Sequence, residues 1–431
     1  MKILFVYPRF QRHAEANPEL LEFVPMNEYL GSPSLGIPAL AALTPPDWEL
    51  EFRDDRLSPA DTPTDADLVA LSFFTAAAQR GLELADYFRA AGKTVVAGGI
   101  FPTMMPDVVA PHVNTVVVGE GEASWLTLLK DMRAGELKSR YEATDSVDLT
   151  SLPVPDLSLY FGAEGENFQP DDYPLQISRG CKLTCHACVL PTSMTRAMRP
   201  FPLEQIIGQL KQLRLAGKHA CLTEDTSWFP GTPVRRLLGE LFDHIIESGD
   251  KAAVSYAGIS MPMILCTPPS FLDKAKAAGV DMFYLVGGFD PVTMKAFTGK
   301  DPKALDRAFT AVAKAWDAGI EPYTSFLLGG DQDDLGTVDR MLEFAEKAKI
   351  RKAEFAIATP YPGTPQWHQF VAEDRILTRD WSKYNDANVV FQPKNMTPDE
   401  LHEGYIRLWR EFYADKGHLA DLSHYERTIQ F

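Results

Sequence analysis

"RGCKLTCHACVLP", residues Arg179–Pro191, sets Cys181, Cys185 and Cys188 on one short loop of a chain that has only two other cysteines, Cys221 and Cys266. Three thiolates so spaced converge on one centre without help from distant parts of the chain. A structural zinc site takes four protein ligands, and no second CxxC pair is present to complete one. His186, between two of the cysteines, reads as an exposed loop residue rather than a fourth ligand. Iron–sulfur clusters are held by thiolates, usually four, so three leave one iron of a cubane without a protein ligand and open to chemistry. Ordinary buried thiols have no need of a glycine-preceded loop at the end of a strand.

Outward from this loop the chain alternates apolar runs with amphipathic stretches. "LQISRG" (175–180), "HACLTED" (219–225), "AAVSYAGIS" (252–260), "DMFYLVGGFD" (281–290), "IEPYTSFLLGG" (320–330) and "KAEFAIATPYPG" (352–363) read as strands. Helical stretches such as "PLEQIIGQLKQLRLAGK" and "PVRRLLGELFDHIIESG" lie between them, closed by glycine or a basic residue. Six such units predict an open, partial (β/α)6 barrel over 174–365, and parallel sheets of this kind carry their reactive groups at the carboxyl ends of the strands. The cysteines follow the first strand, at that edge.

An earlier series, "KILFVYP" (2–8), "LEFRDD" (50–55), "LVALSFF" (68–74), "TVVAGG" (94–99) and "TVVVGEGE" (115–122), predicts a doubly wound, Rossmann-like parallel sheet over 1–137. Its ligand edge carries Asp54 and Asp55, then "SFFT", "GGIFPT" and "GEGE". A proline- and glycine-rich linker spans 138–173, and a helical cap occupies 366–431. The fold class is therefore α/β throughout, with the cap covering part of the barrel mouth.

Composition narrows the function. The 431 residues are 45% hydrophobic and 23% charged, the balance of a globular enzyme, with a formal net charge of −17 spread along the chain. No basic face for a phosphate backbone follows from this, so nucleic acid is not expected as a partner. No apolar run has the length to cross a bilayer and "MKILFVYPRF" lacks the pattern of a secretory signal, which predicts a cytoplasmic protein with no membrane partner. There, clustered cysteines bind metal or do chemistry more often than they pair.

CxxxCxxC after a first strand, followed by βα repeats, resembles the radical S-adenosylmethionine (SAM) superfamily. The resemblance implies that the open iron of a 4Fe–4S cluster, held by Cys181, Cys185 and Cys188, chelates SAM, and that an electron from the cluster cleaves the sulfonium to a 5′-deoxyadenosyl radical. Along the second series, "LTEDTSW" makes Glu224 and Asp225 candidates for the SAM amino group. "YLVGGFDP" offers Gly287 and Gly288, with Phe289 near the position where relatives carry glutamate and Asp290 as its substitute. "FLLGGDQDD" and "TPYPGTP" resemble the fifth-strand glycine turn and the sixth-strand end. Ala187 stands where most relatives have an aromatic residue near the adenine, so the base is recognised differently here.

A doubly wound domain ahead of such a barrel resembles the cobalamin-binding radical SAM enzymes, which include methylases of unactivated carbon and the anaerobic cyclase of bacteriochlorophyll synthesis. "PSLGIPALAALT" (33–44), "SFFT" (72–75), "GGIFPTMMPD" (98–107) and "VVVGEGEASW" (116–125) follow that group's order. The resemblance places cobalamin contacts at Ser72, Phe73, Thr75, Gly98, Gly99, Ile100, Phe101, Pro102, Thr103, Gly119, Glu120 and Gly121. There is no DxHxxG, and Phe101 replaces the histidine of many relatives, so this loop provides no imidazole to the cobalt. The methylthiotransferases of the superfamily require three further cysteines in the first domain, which has none.

The implied activity is methylation of an unactivated carbon or phosphorus of a small-molecule substrate, through a deoxyadenosyl radical and methylcobalamin, with flavodoxin or ferredoxin as electron donor. The alternatives are cyclisation, ring contraction, another rearrangement or transfer of another SAM-derived group without methyl transfer, or a sensor that binds cobalamin or SAM without chemistry. No catalytic side chain is singled out. Trp228 and Phe229 are placed to meet a substrate, Trp409, Phe412 and Tyr413 read as helix-packing residues, and Cys221 and Cys266 as buried apolar ones, with Cys266 near enough the pocket to approach it.

Overall fold

A computed structural model describes residues 1–22, 33–142, 146–165, 170, 172–222, 224–249, 254–286 and 293–414. Strands β1 (Lys2–Tyr7), β2 (Glu49–Asp54), β3 (Leu68–Ser72), β4 (Thr94–Gly98), β5 (Thr115–Val118) and β6 (Arg140–Glu142) form a parallel sheet in the order β2-β1-β3-β4-β5-β6. Ile3, Leu4, Phe5 and Val6 are all buried, as a strand covered by helices on both faces requires. The order reverses between β1 and β3, and in doubly wound sheets the ligand lies outside the strand ends at that switch. β6 lies in the stretch read from the sequence as linker, and Tyr160, further along it, is buried with its hydroxyl donating 2.6 Å to the Ser34 carbonyl.

The second sheet runs β7 (Asp172–Leu175), then β10 (His219–Leu222), β11 (Val254–Ser260), β12 (Met282–Val286), β13 (Glu321–Leu328) and β14 (Lys352–Ile357). All pairs are parallel, and β7 and β14 are the two edges. This is the sequential topology of an open (β/α)6 unit. Pro174 is tolerated in β7 because an edge strand leaves one row of N–H groups unpaired. Between β7 and β10 lies a two-stranded antiparallel ribbon of β8 (Ser178–Arg179) and β9 (Arg199–Pro200).

The outer face of the second sheet is aromatic. Phe326 and Phe355 stack at 5.4 Å, Phe297 and Phe344 close on them, and Trp409 and Phe412 meet Phe355 at 5.3 and 5.4 Å. The last two belong to the helix Pro398–Phe412, which starts with a capping box between Thr397 and Glu400 and packs against β14. Tyr413 bonds both backbone groups of Ala353. These three aromatics are packing residues. Their helix packs on the outer layer and also reaches the first part of the chain, with His402 bonding Asn17 at 2.7 Å and Tyr405 bonding His13 at 3.0 Å, while the segment before it sets Trp381 against Phe101 at 5.4 Å.

Two expectations are corrected. Trp228 is fully buried among Phe242, Phe271 and Phe283, at 6.0, 5.8 and 5.4 Å, so it is a core residue and does not face a substrate. Cys266 is exposed at the end of the short helix Met261–Cys266, whereas Cys221 is buried and its thiol is pushed up to about 12 by that burial. Phe229 is half-buried. Among the described residues no helix is long and apolar enough to cross a membrane.

Replacing Trp228 with alanine removes the centre of that aromatic cluster. The expected loss is about 3–5 kcal/mol in denaturant unfolding, with Trp228→Phe retaining most of the stability; an alanine variant as stable as the parent contradicts the packing assignment.

Candidate cofactor sites

The cysteine loop is closed by the β8/β9 ribbon, in which Arg179 pairs with Arg199 and Ser178 with Pro200. Gly180 has φ +94°, and a side chain there would overlap the Ala197 carbonyl, so the neck of the loop admits only glycine. Cys181 is buried, Cys185 and Cys188 are half-exposed, and the Cys188 N–H donates 3.2 Å to the Cys185 carbonyl. His186 is exposed, and its carbonyl accepts from the Gln366 N–H at 3.0 Å. Ala187 is buried.

Among the described residues no three His, Cys, Asp or Glu side chains are placed to hold one metal ion. A donor set of three thiols still suits a cubane cluster, because there each thiolate takes a different iron and the sulfurs stand apart around it.

Glu224 ends the second strand of the barrel series, but its carboxylate turns back onto the neck of the loop. It accepts from the N–H of Ile177, from the N–H of Ser178 at 2.9 Å and from the Ser178 hydroxyl at 2.7 Å. Its observed part is to tie β8 to the end of β10. Asp225 opens the turn Asp225–Trp228, and its side chain lies outside the described part of the structure, as do Gly287, Gly288, Phe289 and Asp290. The fifth-strand turn is held by Asp333, whose carboxylate accepts from the Gly329 and Gly330 N–H groups at 2.9 and 2.8 Å.

At the switch point of the first sheet lies a cavity of about 450 Å³, within the range of roughly 300–1,000 Å³ usual for small-molecule sites. Ser72, Phe73, Gly98, Gly99, Ile100, Thr103, Gly119, Glu120 and Gly121 line it, so the structure gathers nine of the twelve residues named from the sequence. Thr75, Phe101 and Pro102 are buried and do not line it. Phe101 packs between Phe73 and Trp381, which explains an aromatic ring where an imidazole was sought. Gly99 has φ +100°, and a Cβ there would stand 2.8 Å from the Phe73 carbonyl oxygen. Only a bare backbone fits that cradle. Asp54 and Asp55, at the same edge, are held in ion pairs with Arg56 and Arg80 at 2.6 and 2.8 Å.

The cavity and the cysteine loop adjoin. Gln176, Arg179, Ser193 and Met194, from either side of the loop, line the cavity too. Arg179 donates 2.5 Å to Glu122 and lies 3.6 Å from Glu120, while Arg199 grips Glu120 with both terminal nitrogens at 2.5 and 3.1 Å. Burial alone would raise the Glu120 carboxyl, yet Arg199, the Val147 N–H and Arg179 hold it below the usual range. The stretch after β14 meets both regions, since Gly363 abuts Met104 of the short helix Ile100–Met104 and Gln366 bonds His186.

Sequence reasoning missed a polar group on the inner face of the second sheet. Glu354 of β14 accepts from the hydroxyls of Tyr284, Ser325 and Tyr323, and burial raises its carboxyl. Asp386 accepts from Tyr361 at 2.8 Å, and burial pushes it up to about 6, with the Glu354 charge adding to the rise against the Tyr361 and Thr359 hydroxyls. A glutamate inside an apolar strand is the one sequence signal for this group; nothing local marks Asp386.

No family model matches the chain. Among curated proteins, bacteriochlorophyllide d C-12(1)-methyltransferase of Chlorobaculum tepidum is 27% identical over 392 residues, covering 88% of this chain and 82% of the relative. The C-8(2)-methyltransferase of the same organism is 26% identical over 391 residues, covering 89% and 85%. Among solved structures, the radical SAM methyltransferase TsrM from Kitasatospora setae, with cobalamin and a 4Fe–4S cluster bound, aligns over 99% of this chain and 92% of its own at a TM-score of 0.62 and 16% identity. That likeness shows the fold.

A carboxyl whose folded value exceeds its unfolded one binds more protons in the folded state, so it lowers stability as pH rises from about 4 to about 6. Asp386→Asn removes this contribution. Thermal melts across that window are expected to fall less steeply with pH than those of the parent, and parallel curves contradict the assignment.

Proposed function

We propose, from the premise that the chain is a relative of the cobalamin-binding radical SAM methylases, that it transfers a methyl group to an unactivated carbon or phosphorus of a small molecule. The observation that carries this reading is the adjoining of a three-cysteine loop and a glycine-walled cavity at the ligand edges of two parallel sheets. Cys181, Cys185 and Cys188 would hold a 4Fe–4S cluster, and the cavity walled by Gly98, Gly99, Ile100 and Gly119 would hold cobalamin. So bound, the cluster with SAM supplies a radical that activates the substrate, and cobalamin supplies the methyl group.

The chain's own residues serve this chemistry by placement. Glu224 and Gly180 fix the neck of the loop, so that the cysteines project from a rigid base. The apolar walls of the cavity, Phe5, Leu71, Val96 and Trp125 among them, keep water away from a reactive centre. Glu354, on the inner face of the second sheet, and Asp386, in the chain after it, are buried carboxyls that accept from the Tyr284 and Tyr361 hydroxyls. A reduced flavodoxin or ferredoxin is the fitting electron donor.

Alanine at Cys181, Cys185 or Cys188 is expected to abolish iron loading and SAM cleavage together under reducing conditions. Normal iron and cleavage in any one of the three overturns the cluster assignment. Gly99→Val is expected to lower cobalamin retention at least tenfold while iron content stays, and unchanged retention overturns the placement of cobalamin on that turn.

A further inference from the structure

We propose that Glu120 and Glu122 couple the cavity to the cysteine loop, acting as positioning residues through which a ligand in one site is felt at the other. The proposal rests on the reading that the cavity takes cobalamin and the loop a cluster. It begins with a local conflict. Arg179 and Arg199 stand directly opposite each other across the ribbon that closes the loop, and like charges so paired destabilise an antiparallel ladder. Apart from hydrogen bonds to Gln176 and to the Val147 carbonyl, the charge that offsets them comes from "GEGE" at the end of β5, in the other sheet.

The four side chains are largely out of water, with exposures of 11% for Arg179, 12% for Glu120, 7% for Glu122 and 18% for Arg199. In such surroundings removing one partner of an ion pair leaves an uncompensated buried charge, which is far worse than losing an exposed pair. Glu120 is also the acceptor for the Val147 N–H at 2.9 Å, so one carboxylate joins β5, the chain entering the second sheet and the ribbon. Burial works against the Arg179 charge, and Glu122 and Glu120 outweigh it.

Glu120, Glu122 and Arg179 are themselves part of the cavity wall. A ligand that fills the cavity further dries these pairs and fixes the side chains that close the loop. A cluster on the loop fixes the same side chains from the other end. Because binding free energies are linked, whatever one occupant does to the affinity of the other is returned in equal measure.

The test uses the full chain and hydroxocobalamin, with its dissociation constant read anaerobically by absorbance on cluster-reconstituted and on iron-free protein. The parent is expected to bind at least about fivefold more tightly when the cluster is present. In Glu122→Gln and Glu120→Gln, whose affinity for hydroxocobalamin is expected to be weaker overall because both side chains wall the cavity, the two constants are expected to come together. The exchange Glu122→Arg with Arg179→Glu is expected to restore part of the difference, which a merely space-filling role does not do. Equal constants in the parent, or a difference that persists in both glutamine variants, overturn the proposal and leave the functional reading standing. Absence of hydroxocobalamin binding in either form overturns that reading and this one with it.

Discussion

Arg179 and Arg199 face each other at the neck of the cysteine loop, and the carboxylates that neutralise them come from the other sheet. Much of the arrangement follows from this. The neck of the loop is tied by these ion pairs to the strand end that bears Glu120 and Glu122. Gly180 lets the backbone turn at that neck, and Glu224 anchors the opposite side, so the cysteines leave the sheet from a base held on two flanks. The same carboxylates wall the cavity over the first sheet, and the two regions share one boundary.

Most of the architecture was legible because it is written in long apolar runs. Strands covered on both faces, such as "KILFVY" and "TVVV", have no polar side to interrupt them, and the helices between them carry one apolar stripe. The parts that were not legible are short or polar. β6 reads "RYE" and pairs through its backbone at a sheet edge. The first strand of the second sheet begins at Asp172, before the expected "LQISRG" and inside the stretch read as linker, and as an edge strand it accepts Pro174. The β8/β9 ribbon is two residues long on each side and leaves no periodic trace.

The cofactor regions were legible where backbone was the signal and less so where side chains decide. Glycines at 98, 99, 119 and 121 line the cavity, as close approach of a ligand requires. Phe101 and Trp228 were placed toward ligands by their position after a strand, but both are turned into the core by neighbouring aromatics. Glu224 shows the same limit for a polar residue, since position put it at the right strand end while the direction of its carboxylate depends on Ile177 and Ser178. Asp386 lies in the chain after the last strand, and only the folded structure brings it to Tyr361 and within the field of Glu354.

The kinship with methyltransferases of a tetrapyrrole and the geometry at the shared boundary lead to one central claim: a single chain holds a cluster and a corrinoid side by side. Iron and cobalt are therefore the quantities to measure, on protein purified anaerobically, reconstituted with iron and sulfide, incubated with hydroxocobalamin and desalted. The account predicts about four iron atoms and about one cobalt retained per chain. Iron without cobalt would contradict it, leaving a radical enzyme whose first sheet has kept the fold of its relatives without their second cofactor.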